Sequence, residues 1–144
     1  FSNGGFLPTP RITQYISAKD SQRYNLPIPT PIQILSPHVA KKIEELLIQV
    51  VQRGTGKPAF VENVIVGGKT GTAKIAKNGE YINQYNGSFF GFAKDSNHTY
   101  TIGVVVFESH IQNDYYGGRT AAPIFKEIVE MLIDEGYLKK IDPS

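Results

Sequence analysis

Residues 66–76 read VGGKTGTAKIA, and the rest of the chain is interpreted around them. Their β-prone beginning and alternating tail predict a strand, in which side chains point alternately to two faces. Lys69 and Gly71 would then face one way, and Thr70 and Thr72 the other. Twist at an edge strand can bring the lysine and the hydroxyls to one rim, which would suit an anionic ligand. The alternative is a plain strand with a solvent-facing lysine.

The composition is that of a globular domain. The chain has 144 residues, of which 40% are hydrophobic and 19% charged, enough for one domain with a buried core. A net charge of +2, scattered along the chain, argues against nucleic acid as a partner. There are no cysteines, and the histidines share no metal-ligand spacing, so we expect no disulfide, no metal and no other cofactor. No apolar run approaches the ~20 residues of a membrane span.

The sequence pattern predicts one helix on either side of a run of strands. Residues 1–36 form a proline-rich connecting segment. Residues 37–53 form an amphipathic helix, because Ser36 is suited to cap its start, apolar residues recur every three to four positions, and a glycine follows. Residues 121–135 form the last helix, with Thr120 as its expected N-cap.

Residues 64–107 are predicted to hold three strands, at 64–76, 87–93 and 100–107. The connections are short, and one contains Asn78-Gly79, a pair typical of tight turns. The three strands should therefore be antiparallel neighbours. The third strand is apolar at consecutive positions, so we expect both of its faces to be buried.

Four motifs fall in the order of one known family: GTG at 54–56, VGGKTGTA at 66–73, GSFFGFA at 87–93 and YYGGRTAAPIFKEI at 115–128. Nearly the whole chain resembles the C-terminal part of the transpeptidase domain of a class B penicillin-binding protein, most like the septal, cell-division type. The resemblance implies an α+β fold, an antiparallel sheet packed with helices, which is the C-terminal portion of the β-lactamase-like transpeptidase fold. It also implies that the chain is part of a serine-type D,D-transpeptidase. Such an enzyme crosslinks peptidoglycan stem peptides through an acyl-enzyme and is acylated by β-lactams.

The resemblance assigns the catalytic roles in this chain to Lys69 and Thr72. Lys69 would support the proton network of the site and attract the carboxylate of a substrate or β-lactam. The backbone N–H of Thr72 would donate a hydrogen bond to the oxyanion, a kind of contact worth ~2.7–4 kcal/mol in a transition state.

The same resemblance assigns substrate contacts to five residues. Thr70 and Thr72 offer hydroxyls, and Thr72 is favoured for the contact with the carboxylate. Gly71 leaves room for a ligand to lie along the strand as an added β-strand. Tyr115 and Tyr116 would help to wall the site, the alternative being that they only pack their loop onto the domain.

Two motifs of the family are missing from the chain. No serine is followed by lysine three positions later, and Tyr81-Ile82-Asn83 lies after K-T-G, whereas S-x-N lies before it in the family. We therefore expect the nucleophile, its lysine and S-x-N in an upstream half of the domain, and no activity in this chain alone. The alternative is a non-catalytic penicillin-binding or β-lactam-sensor domain of the same fold. The resemblance further implies the extracytoplasmic face of the inner membrane, an anchor outside this chain, and other cell-division proteins as partners.

Overall fold

A computed structural model describes residues 1–19, 22–109 and 116–141. They fall in two compact units, Phe1–Lys42 and Ile43–Ser144. The first unit contains four short strands, in which β1 pairs with β4 and β2 with β3, both antiparallel: β1 (Phe6–Leu7), β2 (Tyr15–Ser17), β3 (Arg23–Asn25) and β4 (Ile32–Gln33).

Helix α1 covers Pro37–Arg53, the bounds that the sequence predicted. The Ser36 hydroxyl accepts the Val39 N–H at 3.3 Å, so the expected N-cap forms. Proline is tolerated at the first helical position because the N–H it lacks would have no partner inside the helix. At the other end, the N–H of Gly54 donates to Val50 O at 3.0 Å and closes the last turn.

The second unit is built on three antiparallel strands in the order β5-β6-β7, as predicted. The strands are β5 (Ile65–Lys77), β6 (Glu80–Lys94) and β7 (Thr99–Ser109). The strand β6 begins seven residues before the predicted position 87, because Asn78 and Gly79, with φ of 55° and 84°, reverse the chain in two residues. Lys77 then lies opposite Glu80, and the ladder starts at the turn.

One face of this sheet carries the hydrophobic core. Helix α2 packs on it, and the Phe125 ring meets the Phe89 ring edge to face, with centroids 4.7 Å apart. Helix α1 packs on the opposite face, close to Gly67. A Cβ added to Gly67 would stand 2.5 Å from the Phe92 ring and 3.1 Å from the backbone nitrogen of Ile48 in α1.

The expectation that β7 is buried on both faces is wrong. Val104 belongs to the core, whereas Val105 is 41% exposed and Phe107 72% exposed. Successive side chains of a strand point to opposite faces, and α2 covers only one of them. Within the described residues, β7 pairs with β6 alone.

Helix α2 covers Gly117–Asp134 and so begins four residues before the predicted position 121. Thr120 is not its N-cap: it is a buried first-turn residue whose hydroxyl donates to Tyr116 O at 3.2 Å. The early start depends on a close approach, because a Cβ on Gly117 would stand 2.2 Å from Ser88 O. The helix ends one residue before the predicted position 135, and Gly136 follows with φ of 76°.

The turn between β6 and β7 is held by the carboxylate of Asp95, whose side chain is only 3% exposed. It accepts N–H groups from Asn97 at 2.7 Å, from Lys139 at 2.8 Å and from His98 at 2.6 Å. These backbone donors favour the charged carboxylate and hold the pKa of Asp95 well below its usual range. The carboxylate thereby ties the segment after α2 to the sheet. No helix in the described part of the chain is long and apolar enough to cross a membrane.

Candidate active site

The candidate site lies along the outer edge of β5, where the described residues supply no further strand. Lys69 is exposed there, and its ammonium group donates to the carbonyl of Thr70 at 2.7 Å. The same Nζ lies 3.5 Å from Thr70 Oγ1. A strictly alternating strand would separate these two side chains. The lysine bends around the edge, so its charge and the Thr70 hydroxyl lie at one rim.

The backbone of Thr72 also faces this edge. Gly71 lies opposite Ser88, and its carbonyl lies with Ser88 N and Ser88 O beneath Gly117, so Gly71 directs its polar groups toward β6. In an antiparallel pair, the N–H and C=O of one residue point to the same side, and that side alternates along the strand. The N–H of Thr72 therefore points away from β6, on the side where the Thr70 carbonyl meets the lysine.

The side chain of Thr72 is oriented by the last helix. Its hydroxyl oxygen accepts the N–H of Gly117, the first residue of α2, at 3.3 Å. A hydroxyl has one proton and two lone pairs, so accepting this bond leaves the proton of Thr72 for another acceptor. The helix thus holds a hydroxyl donor beside the K-T-G edge.

Gly71 lies close to a side chain of the neighbouring strand. A Cβ at this position would stand 2.5 Å from Ser88 Oγ, closer than a real Cβ approaches another atom. The sequence analysis predicted that Gly71 leaves room for a ligand to lie along the strand. The side chain of Ser88 on β6 is a contact that sequence analysis missed, because the pairing of Gly71 with Ser88 is long-range. A larger residue at position 71 would require the Ser88 hydroxyl to rotate away.

A cavity of about 480 Å³ opens beside the edge. Tyr116 belongs to its wall and is 54% exposed, whereas Tyr115 lies outside the described residues. Two cationic residues, Lys57 and Arg119, also line it and give the wall positive charge. The full lining comprises Gly54, Thr55, Lys57, Pro58, Thr70, Thr72, Tyr116, Gly117, Gly118 and Arg119.

The loop after α1 is part of this wall, which sequence reasoning did not foresee. Thr55 Oγ1 lies 2.8 Å from Thr70 Oγ1, so the central threonine of the GTG motif is hydrogen-bonded to the K-T-G motif. The only signal for it in the sequence was the motif GTG itself. The triplet Tyr81-Ile82-Asn83 lies elsewhere, at the hairpin end of β6, where Tyr81 pairs with Ala76 and is exposed.

The chemistry available at this edge is electrostatic. An ammonium group, two hydroxyls and an outward backbone N–H can bind a carboxylate or a developing oxyanion. Among the described residues, no group of three or more histidine and acidic side chains could hold a metal ion. The arrangement can therefore stabilise negative charge. Among the described residues that line the cavity, no serine or cysteine is hydrogen-bonded to a general base.

The chain matches known proteins along most of its length. Residues 1–130 match the family described as penicillin binding protein transpeptidase domain. Stage V sporulation protein D of Bacillus subtilis is 38% identical over 137 residues, which cover 92% of this chain and 21% of that protein. Peptidoglycan D,D-transpeptidase FtsI of Buchnera aphidicola is 36% identical over 114 residues, which cover 78% of this chain and 19% of that protein.

Solved structures show the same likeness in three dimensions. Penicillin binding protein 3 from Mycobacterium tuberculosis, complexed with ampicillin, superposes with a TM-score of 0.82 at 31% identity. The match covers 99% of this chain and 34% of that chain. The D,D-transpeptidase domain of a peptidoglycan glycosyltransferase from Eggerthella lenta superposes with a TM-score of 0.70 at 26% identity, covering 94% of this chain and 30% of that one. The chain thus spans 34% or less of each of these proteins.

Proposed function

This chain belongs to the penicillin-binding protein transpeptidase family, and we propose that it supplies the K-T-G side of the active site of a serine-type peptidoglycan D,D-transpeptidase. Its antiparallel sheet packed with helices is the C-terminal portion of the β-lactamase-like fold of this family. The observation that carries the proposal is the edge of β5, where the Lys69 ammonium, the Thr70 hydroxyl and the outward N–H of Thr72 meet beside one cavity.

The proposed reaction is acyl transfer. A serine outside this chain attacks the carbonyl of the penultimate D-alanine of a stem peptide, the terminal D-alanine leaves with its nitrogen protonated, and an acyl-enzyme forms. An amine of a neighbouring stem peptide then attacks that ester, which releases the serine and completes the crosslink. A β-lactam follows the first half of this course, since its ring amide is opened by the same serine.

Lys69 and Thr72 are proposed to act on the negative charge of this reaction. The carbonyl of Thr70 holds the Lys69 ammonium at the rim, at 2.7 Å, where it attracts the carboxylate of the incoming peptide or β-lactam and supports the proton network of the serine. The N–H of Thr72 points out of the sheet and donates to the oxyanion that forms on the attacked carbonyl. One preorganised donor of this kind contributes ~2.7–4 kcal/mol to the transition state.

Thr70, Gly71 and Thr72 are proposed to bind the substrate as an added strand. The outward polar groups of Thr70 and Thr72 are suited to main-chain hydrogen bonds with an extended peptide. Gly71 carries no side chain toward the ligand. The hydroxyl of Thr72 already accepts the N–H of Gly117 at 3.3 Å, so its proton is directed to an acceptor such as the substrate carboxylate.

The aromatic wall and the setting of the protein complete the proposal. Tyr116 lines the cavity, and with Tyr115 it would flank the bound peptide or β-lactam. The nucleophile and its lysine come from an upstream half of the same domain. As the resemblance to the septal type implies, the complete protein would act in the cell envelope at the extracytoplasmic face of the inner membrane, together with other cell-division proteins.

Intact-mass spectrometry with a labelled penicillin tests this assignment. The full-length protein should gain the mass of one acyl group, and residues 1–144 expressed alone should gain none, because no serine in them is followed by lysine three positions later. An adduct on a serine of residues 1–144 would contradict the assigned roles. A folded full-length protein that takes no acyl group would instead favour a non-catalytic domain.

A further inference from the structure

The loop of residues 54–56 holds a threonine against the K-T-G edge. Thr55 is exposed to solvent, and an exposed loop threonine ordinarily contributes little. Its oxygen nevertheless lies 2.8 Å from Thr70 Oγ1, across 15 positions of sequence. The neighbouring loop residues are anchored, since the N–H groups of Gly54 and Gly56 both donate to Val50 O, at 3.0 and 3.1 Å.

The first turn of α2 supports this loop from the other side. A Cβ on Gly118 would stand 2.5 Å from the carbonyl oxygen of Thr55 and 3.5 Å from the methyl group of Thr70. The loop, the helix and the strand therefore meet at these two threonines. A hydroxyl fixed on such a turn can orient its neighbour, because little conformational freedom is left to either side chain.

The lysine leaves two arrangements of the hydroxyl protons, because either threonine can be the donor in the bond between Thr55 and Thr70. An ammonium group only donates, so Thr70 Oγ1 accepts from Lys69 Nζ, 3.5 Å away. One further lone pair and one proton then remain on the Thr70 hydroxyl. If Thr55 donates to that lone pair, the proton of Thr70 is left for a ligand. If Thr70 donates to Thr55 instead, that proton is already used.

We propose that Thr55 is a positioning residue that donates its hydroxyl proton to Thr70, and so turns the proton of Thr70 toward the carboxylate of the bound peptide or β-lactam. The inference rests on the proposed function, within which it gives Thr70 a defined direction as a donor. An approaching carboxylate selects this arrangement, since it is the one that offers a proton to an anion. Thr55 itself need not touch the ligand.

The test compares Thr55→Val, which keeps the shape but loses the hydroxyl, with Thr55→Ser, which keeps the hydroxyl. Thr101→Val, at an exposed position of β7, is the matched control. In the full-length protein, we would measure the second-order rate constant of acylation by a fluorescent penicillin and the methyl NMR signal of Thr70, which reports its side-chain rotamer. Melting temperatures check the fold.

We expect Thr55→Val to slow acylation about three- to tenfold, the loss typical of one neutral hydrogen bond, and to shift or broaden the Thr70 methyl signal. Thr55→Ser should stay within about twofold of the wild type, and Thr101→Val should change neither readout. Should Thr55→Val fold poorly, Thr55→Ala replaces it, since the site is exposed.

A Thr55→Val protein with wild-type acylation and an unchanged Thr70 signal overturns the inference. So does a Thr55→Ser protein as slow as Thr55→Val, because shape rather than the hydroxyl would then matter. If the wild-type protein takes no acyl group at all, the proposed function fails. The Thr70 signal in the three variants then still decides whether Thr55 orients that side chain.

Discussion

Lys69→Ala in the full-length protein tests whether this lysine contributes to acylation. The substitution removes the one ammonium group that contacts the Thr70 carbonyl among the described residues, at 2.7 Å. Lys69 is exposed, and surface substitutions usually change the free energy of unfolding by no more than ~0.5 kcal/mol. The melting temperature should therefore stay close to that of the wild type.

Acylation should respond much more strongly. A charge-assisted hydrogen bond contributes ~1.5–3 kcal/mol, and each ~1.4 kcal/mol corresponds to a factor of ten in rate. The loss of one such contact to the substrate carboxylate predicts a decrease of about 10- to 150-fold, and a second contribution to the proton network would add to it. Lys69→Arg keeps the charge but not the compact shape of an ammonium group, so its acylation rate should lie between those of the wild type and Lys69→Ala.

The assay is stopped-flow acylation with a fluorescent penicillin, followed by thermal unfolding of each variant. Lys77→Ala is the control, since Lys77 is exposed on the same strand but lies at the hairpin turn, opposite Glu80. Its rate should equal that of the wild type. A Lys69→Ala protein with normal melting and an unchanged rate would refute the role of this lysine.

Three further predictions follow from packing, charge and exposure. Gly117→Ala should lower the free energy of unfolding by ~1–3 kcal/mol in urea titrations, because its Cβ would stand 2.2 Å from a backbone oxygen, whereas Glu127→Ala on the exposed side of α2 should not. Asp95→Asn should have a lower free energy of unfolding than the wild type at neutral pH. Because the pKa of Asp95 is lowered in the folded protein, its carboxylate stabilises the fold above pH ~4, and the difference in stability between the two proteins should shrink as the pH falls below that. A stability difference that stays constant through acid unfolding would contradict this prediction. Residues 1–144 alone should self-associate through β7, and Phe107→Lys, which places a charge on its exposed apolar face, should make them monomeric by analytical ultracentrifugation.

The local elements of this protein follow from the sequence alone. Ser36 and Pro37 mark the start of α1, and the glycine after Arg53 marks its end, since capping and the loss of the helical pattern depend on neighbours in the chain. Asn78-Gly79 likewise determines the hairpin between β5 and β6, because both residues adopt positive φ. The K-T-G motif, in its order with the other three, identifies the family from the sequence alone.

Contacts between distant segments decided the rest. α2 begins at Gly117 rather than at position 121 because its first turn lies against Ser88 on β6, a contact that no local pattern of residues reveals. The exposure of one face of β7 also depends on such contacts. An apolar run in the sequence makes burial possible on either face, but only the packing of α2 decides which face is buried. The bond between Thr55 and Thr70, which completes the edge of the site, spans 15 residues. Side chains so far apart in sequence meet only once the helices have packed on the sheet, so their pairing is a property of the tertiary structure.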